Sequence, residues 1–324
     1  MMRIGTTRST SRTRWSRVRN ARPIVLAGCV AFALAAAPPE PQHAPLVMVD
    51  VAVEGTGGNP VSGLTRDDFE IVAGGTARPV ESFAAGKEQP LSLVLLLDAS
   101  VSLEFMVERK VLRTAVEQWF ANRLAPQDRV HVGSFAKQIS IGPSLAGNPR
   151  AILAAARTAL DPPKADTFGP SPIWDALDAA VIVLAQATGR RAVILVTDGR
   201  ASGNRQGPEE SGARAIAAGV AVSVVGEDWE MSLRQDGTTG VLVRPGAALE
   251  WIANATGGLY VQDTAIPTAP GPILGRLLAD LQERYTLGFA PPTRDGKVHP
   301  LEVQVKRQGL KVRTRRSYVA PATP

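Results

Sequence analysis

From Leu46 onward, "LVMVDVAVEG" alternates apolar and polar positions with the period of a strand. "TGGNPVSG" then supplies turn chemistry, and "FEIVAGGTARPVESF" predicts two short strands around a Gly-Gly turn. At Leu91 the pattern changes. Leu93 to Leu97 is a near-continuous apolar strand, and Phe105 to Leu124 predicts one helix with Val111, Leu112, Ala115, Val116, Trp119 and Phe120 along a stripe. Strands are predicted over Arg129 to Phe135 and over "ISIGP", followed by a helix over Pro149 to Leu160. After the loop "DPPKADTFGP", Ser171 is placed to cap a helix with Pro172 at its first position, running to about Thr188. "RRAVILVTDG" is the next buried strand. Helices over Glu209 to Ala218, Ala247 to Ala255 and Pro272 to Tyr285 then alternate with strands at Val220 to Val225 and "LYVQD". Beyond Tyr285 the chain returns to strands, in "YTLGFAP", "HPLEVQVKR" and "GLKVRTRRSYV".

Strands that are apolar throughout and alternate with helices indicate a mostly parallel sheet covered on both faces. The expected fold class is therefore α/β, with a doubly wound central sheet flanked by helices. The β segments on either side hold too few apolar residues to fold alone, so they are expected to pair into one small β-rich domain. The expected division is 1–37 leader, 38–45 proline-rich linker, 46–90 N-terminal β segment, 91–285 α/β domain and 286–324 C-terminal β segment.

Charge changes the picture once the leader is set aside. Seven arginines and no acidic residue precede or enter the apolar run Pro23–Ala37, the outline of a secretory signal peptide with Ala33-Leu34-Ala35 as its cleavage pattern. A retained membrane anchor is the alternative, but 15 residues are short for a span of roughly 20. "LAGC", ending at Cys29, also resembles a lipobox, although the apolar run continues well past it. The formal charge of +6 becomes 29 basic against 30 acidic residues beyond the leader, which implies no general affinity for nucleic acid. A mature chain of this kind is expected outside the cytoplasm, secreted or in the envelope, with no transmembrane span. One local excess remains, at Lys306, Arg307, Lys311, Arg313, Arg315 and Arg316, read as the charged solvent face of an edge strand or as a surface for an anionic partner.

The candidate chemistry lies in "LLLDASVS" and "VTDG". Ligands of open parallel sheets sit beyond the carboxyl ends of the strands. Asp98 ends the first core strand and Asp198 follows a later one, so adjacency of those strands would place two carboxylates in one crevice with Ser100, Ser102 and Ser171 nearby. Two carboxylates together repel unless a cation joins them. Oxygen donors without histidine or cysteine suit Mg²⁺ or Mn²⁺ rather than zinc or copper. The competing reading is ordinary: Asp98, Ser100 or Ser102 as a helix cap and Asp198-Gly199 as a turn, whereas Ser171 is expected to serve as N-cap and ligand together. Asp175 and Asp178 read as a solvated face, Asp166 as a weak further candidate, and His43, His131 and His299 as linker, strand and turn residues.

In the order Asp-x-Ser-x-Ser, Gly-x-Ser loop and Thr-Asp-Gly, residues 91–285 resemble the von Willebrand factor type A domain and its metal-ion-dependent adhesion site (MIDAS). The flanks resemble the bacterial secreted subgroup called VWFA-related proteins. The resemblance implies Ser100, Ser102 and Ser171 as hydroxyl ligands, with serine where the family has threonine at 171, and Asp98 and Asp198 as carboxylates, the latter through water. It implies a non-enzymatic module in which a partner protein's Asp or Glu completes the coordination of the metal. The loop "GRASGNRQGPEE" then reads as a contact surface or mobile rim. A haloacid-dehalogenase-type phosphatase is the enzymatic rival, but it needs a carboxylate two residues after Asp98, where Ser100 stands. An envelope scaffold with a dispensable metal site is the third reading.

Overall fold

In the computed structural model, the alternation after Leu46 becomes β1 (Val47–Glu54), whose odd-numbered valines are all buried. The structure describes residues 45–226, 231–233, 241–243, 246–262 and 269–322. The expected leader with Cys29, and the linker up to residue 44 with His43, lie outside the described residues. After β1 come β2 (Phe69–Ala73), β3 (Thr76–Arg78) and β4 (Ser82–Ala84). The α/β region begins with β5 (Leu91–Asp98), α1 (Leu103–Met106), α2 (Arg109–Ala115), β6 (Arg129–Phe135), β7 (Ile139–Ile141), β8 (Leu145–Ala146) and α3 (Pro149–Ala159). It continues with α4 (Lys164–Thr167), α5 (Ile173–Ala185), β9 (Arg190–Val196), α6 (Pro208–Ala217), β10 (Val220–Gly226), the short pair β11 (Met231–Leu233) and β12 (Val241–Val243), α7 (Gly246–Thr256), β13 (Tyr260–Gln262) and α8 (Pro270–Gln282). The strands β14 (Tyr285–Phe289), β15 (Val298–Val305), β16 (Lys311–Arg313) and β17 (Ser317–Val319) follow.

The core sheet runs β13-β10-β9-β5-β6-β7, parallel from β13 through β6 and closed by the antiparallel edge β7. This is a mixed α/β fold with a mostly parallel, doubly wound sheet. The apolar run of β5 has a simple cause. Leu91, Leu93, Leu95 and Leu97 pack into a cluster with α2, α3 and α8, while Val94 and Leu96 point the other way into one with α5, α6 and α7. Helices cover both faces, so no position of β5 faces water. Each buried leucine contributes about 1.5–3 kcal/mol relative to exposure.

The helix expected as one piece over 105–124 is broken. Val107 and Glu108 are extended between α1 and α2, and after α2 the run continues in wider π-type turns over Val116–Phe120 and a tighter turn over Ala121–Arg123. The extended step buries both Met106 and Val107, and it lets the Arg109 guanidinium turn back to the Ala99 carbonyl at 3.1 Å and to Glu104 at 3.2 Å. Apolar periodicity cannot register such a break, because the stripe resumes after it.

The flanking strands form two four-stranded sheets, β16-β1-β14-β4 and β17-β15-β2-β3. Each mixes early and late segments: β1 pairs with β14 and β16, and β15 pairs with β2. One buried cluster joins them, with Phe69, Phe83 and Tyr285 in mutual ring contact and Tyr318 edge-on to Phe289 at 5.3 Å. The Tyr285 hydroxyl donates to the Val61 carbonyl at 2.8 Å, so its polar tip is satisfied. The described residues belong to one compact unit.

The C-terminal basic cluster is not one solvent face. Lys311 and Arg316 are exposed and Arg307 pairs with Asp68 at 2.8 Å, but Arg313 and Arg315 turn inward. Arg313 bridges Glu54 of β1 and Asp280 of α8, and Asp280 also holds the buried Arg284 at 2.7 Å. This ion network ties the β sheets to the α/β core. Burial pushes the Asp280 carboxyl up, but the two guanidiniums outweigh it and hold the group below the usual carboxylate range. His131 is a strand residue whose Nδ1 lies 2.8 Å from the Gly142 carbonyl, whereas His299 sits within β15 rather than in a turn and contacts Asp295 at 2.9 Å.

Candidate metal centre

β5 and β9 are hydrogen-bonded neighbours, with Leu97 opposite Val196. The sheet order reverses between them, since β6 continues outward from one and β10 from the other. A crevice at such a switch point is where ligands of this architecture bind. Asp98 is the last residue of β5, and Thr197 and Asp198 follow β9 directly. Asp98 and Asp198 are both buried.

The Asp98 carboxylate is the hub of a hydroxyl cluster. Its Oδ2 accepts from the Thr197 hydroxyl at 2.7 Å and from the Ser171 hydroxyl at 3.4 Å, and its Oδ1 accepts from the Ser100 N–H at 2.9 Å. The Ser100 and Ser102 hydroxyls lie 3.0 Å apart. Asp198 Oδ1 accepts from the Arg200 N–H at 3.0 Å, and its Oδ2 is 3.5 Å from the Arg200 guanidinium. Burial pushes the Asp98 carboxyl up to about 6, against the pull of the Ser100 and Thr197 hydrogen bonds, and the charge of Asp198 raises it further. The sequence-predicted residues Asp98, Ser100, Ser102 and Ser171 thus stand in one linked set, with Asp198 close enough for its charge to act on Asp98.

The capping alternatives do not describe this geometry. Ser102 precedes α1 but makes no side-chain cap bond. Ser171 is not the cap of α5 either; Pro172 holds that place, and the Ser171 hydroxyl goes to Asp98 instead. The helix is capped from outside, by Asn204 Oδ1, which accepts from the Trp174 N–H at 2.8 Å.

That cap comes from the loop read as a mobile rim, and the loop is strapped down. Asp175 is buried, not solvated, and accepts from the N–H groups of Arg205 and Gln206, each at 3.0 Å from Oδ1. Ser202 Oγ accepts from the Ser171 N–H, and the Ser202 N–H donates to the Ser171 carbonyl, both at 2.9 Å. Asp178 is buried as well and pairs with Arg214 at 3.2 Å. Burial raises its carboxyl above the ordinary range. Asp166 contributes through its backbone, whose carbonyl accepts from the Lys137 N–H at 3.1 Å.

Sequence reasoning passed over Thr197, Ser202 and Asn204. Thr197 lay within the quoted "VTDG", and its place one residue before Asp198 was the available signal. Ser202 and Asn204 act across 31 and 30 residues, and no local pattern marks such contacts.

The donor set fits a hard cation. Among the described residues no group of three His, Cys, Asp or Glu is assembled. The oxygens that converge on Asp98 are mostly hydroxyls, which is the chemistry of a Mg²⁺-like ion that retains waters. Without a cation, Asp98 is a buried carboxylate beside another negative charge, compensated by hydroxyl and amide hydrogens. A divalent ion would remove that cost and draw on the same hydroxyl oxygens as ligands.

Solved structures similar to this chain include a von Willebrand factor type A protein from Catenulispora acidiphila, 13% identical with a TM-score of 0.47, the match covering 84% of this chain and 74% of that one. BatB from Bacteroides thetaiotaomicron is 18% identical with a TM-score of 0.45, over 59% of this chain and 98% of its own. Proximal thread matrix protein 1 from the mussel byssus, described with zinc in its MIDAS motif, is 16% identical with a TM-score of 0.47, over 64% of this chain and 48% of its own. No family model matches the chain, and no curated protein does. The chain is thus similar to von Willebrand factor type A proteins, and its fold class rests on its own strand order and register.

Proposed function

We propose that this protein is an extracytoplasmic binding module of the von Willebrand factor type A kind, holding Mg²⁺, or Mn²⁺, at the crevice between β5 and β9. Asp98, Ser100, Ser102, Ser171 and Asp198 would hold the ion, with Thr197 orienting Asp98. The observation that carries this reading is the buried Asp98 carboxylate at the switch point, ringed by hydroxyls and within reach of the charge of a second buried aspartate, Asp198. The bound ion supplies an electrophilic point for a carboxylate from outside. The protein contributes a rigid seat, fixed by the Asp175 and Ser202 straps, and loops 99–105, 164–172 and 199–208 as the rim around it.

The partner is a protein that offers Asp or Glu to the metal. No catalytic residue is assigned, because Ser100 occupies the place where a phosphatase of the aspartate-nucleophile type needs its acid–base carboxylate. The domain division that accompanies this reading is a metal-binding domain over 91–285 and a β-rich domain built by 46–90 with 286–324, behind a cleaved leader. Among the described residues no helix is long and apolar enough to cross a membrane.

Mg²⁺ tests the reading through linkage. An ion that binds only the folded state stabilises it by about 2.7 kcal/mol at a hundredfold excess over Kd. Thermal melting of the full chain is expected to shift upward with Mg²⁺ and return on addition of chelator. A melting temperature indifferent to Mg²⁺, Mn²⁺ and chelator would count against the site.

A further inference from the structure

At the opposite end of the core sheet, where β9 and β10 begin, a cavity of about 380 Å³ opens between the α/β core and the β sheets. Two arginines line it. Arg315, from the C-terminal basic cluster, is fixed by two carbonyls, Ile216 at 3.2 Å from Nη1 and Met48 at 2.7 Å from Nη2. Its Nε is buried and has no hydrogen-bond partner. The side chain of Arg191, the second residue of β9, makes no hydrogen bond or ion pair among the described residues, and its Nε is likewise buried and unpartnered.

The two guanidiniums converge. A Cβ built on Gly219 would lie 3.2 Å from Arg315 Nη1 and 3.3 Å from Arg191 Nη2, so the two guanidiniums both reach this glycine and stand no farther apart than the sum of those distances. Gly219 has φ +62° because it ends α6 with a left-handed turn, and its missing side chain lets both guanidiniums pack close to it. Asp50 is the one carboxylate in the lining, and its Oδ1 is engaged by the Thr286 hydroxyl at 2.7 Å. The lining therefore carries a net positive charge, with the Arg191 Nη groups left over and Gln89 and Thr188 as neutral polar neighbours.

Like charges brought together with unused donors are the arrangement that recognises a tetrahedral oxyanion, since the planar fork of Arg191 can give two parallel hydrogen bonds and Arg315 adds its charge. We propose that this cavity binds phosphate, either as the free ion or as the head of a small phosphate ester. The cavity has the size of a small-molecule pocket. It lies at the far end of the strands from Asp98, so the site is separate from the metal centre.

The test is calorimetric titration of inorganic phosphate and of glycerol 3-phosphate into the full chain at fixed ionic strength. Chelator is kept present so that the metal centre takes no part. Saturable binding is expected, weakened roughly tenfold or more in Arg191→Gln, as follows from losing a charge-assisted hydrogen bond. Arg191 holds no protein partner among the described residues, so this variant is expected to keep its fold, with circular dichroism as the check. Equal affinity for the two probes assigns the site to free phosphate, and tighter binding of glycerol 3-phosphate assigns it to an ester whose body fills the cavity. Absence of saturable binding by either probe, or binding unchanged in Arg191→Gln, overturns the proposal.

Discussion

Asp280→Ala is expected to destabilise the protein by about 3–5 kcal/mol, the cost of removing one partner from a buried ion pair. Asp280 lies at the end of α8, nearly closed to solvent, and its two oxygens serve Arg284 and Arg313. Arg284 is only 2% exposed, so deletion of its partner leaves a guanidinium buried without compensation. Arg313 keeps Glu54 at 2.8 Å and is the lesser loss. Urea denaturation of the two proteins at pH 7 measures the difference, and a change below about 1 kcal/mol would mean that water reaches Arg284 freely. The pH dependence follows from the direction of the shift. The folded state holds the Asp280 carboxyl below its ordinary value of 3.8, so its contribution is complete above that pH and is lost as pH falls through the folded value. The gap between wild type and variant is thus expected to stay constant from neutral pH to about 5 and to close in stronger acid.

Asp98→Asn is expected to act in the opposite sense. In chelator at neutral pH it is expected to stabilise the protein, by about 1–3 kcal/mol, because it removes a buried negative charge while keeping its amide oxygen for the Ser100 N–H and turning its NH2 toward the Thr197 and Ser171 hydroxyls, whose oxygens can accept. Asp98 is raised to about 6 in the folded state, so the folded carboxylate is strained above that pH and relieved below it. The gain from the amide should therefore be full above pH 6 and fade toward pH 4, as the wild-type group takes up its proton. Thermal melts of both proteins in chelator, from pH 4 to 8, give the result. Destabilisation by the amide at pH 7 would show that Asp98 holds the loops together rather than waiting for a cation.

How far the sequence carries this account depends on the range of the contacts. The doubly wound sheet was readable because a strand buried on both faces must be apolar at every position, as β5 is. The approach of Asp98 to Ser171 was readable only in outline, since strand ends in a parallel sheet gather their loops at one edge. The positioning contacts were not readable. Asp175 looked like a solvated helix residue because a single carboxylate on a helix says nothing of a loop 30 residues away that folds over it. Ser171 looked like a cap because Ser-Pro is a common helix start, while its hydroxyl is directed to Asp98 and Asn204 supplies the cap. Arg313 and Arg315 looked like edge-strand charges, yet carbonyls and carboxylates from other elements draw them inward.

The central claim is a cation seat at Asp98, and calorimetric titration of Mg²⁺ and Mn²⁺ into the full chain, beside its Asp98→Ala variant, tests it most directly. The account predicts saturable binding of one ion per chain in the wild type and none in a variant that remains folded by circular dichroism. Absence of binding in the wild type, or equal binding in the variant, would contradict it.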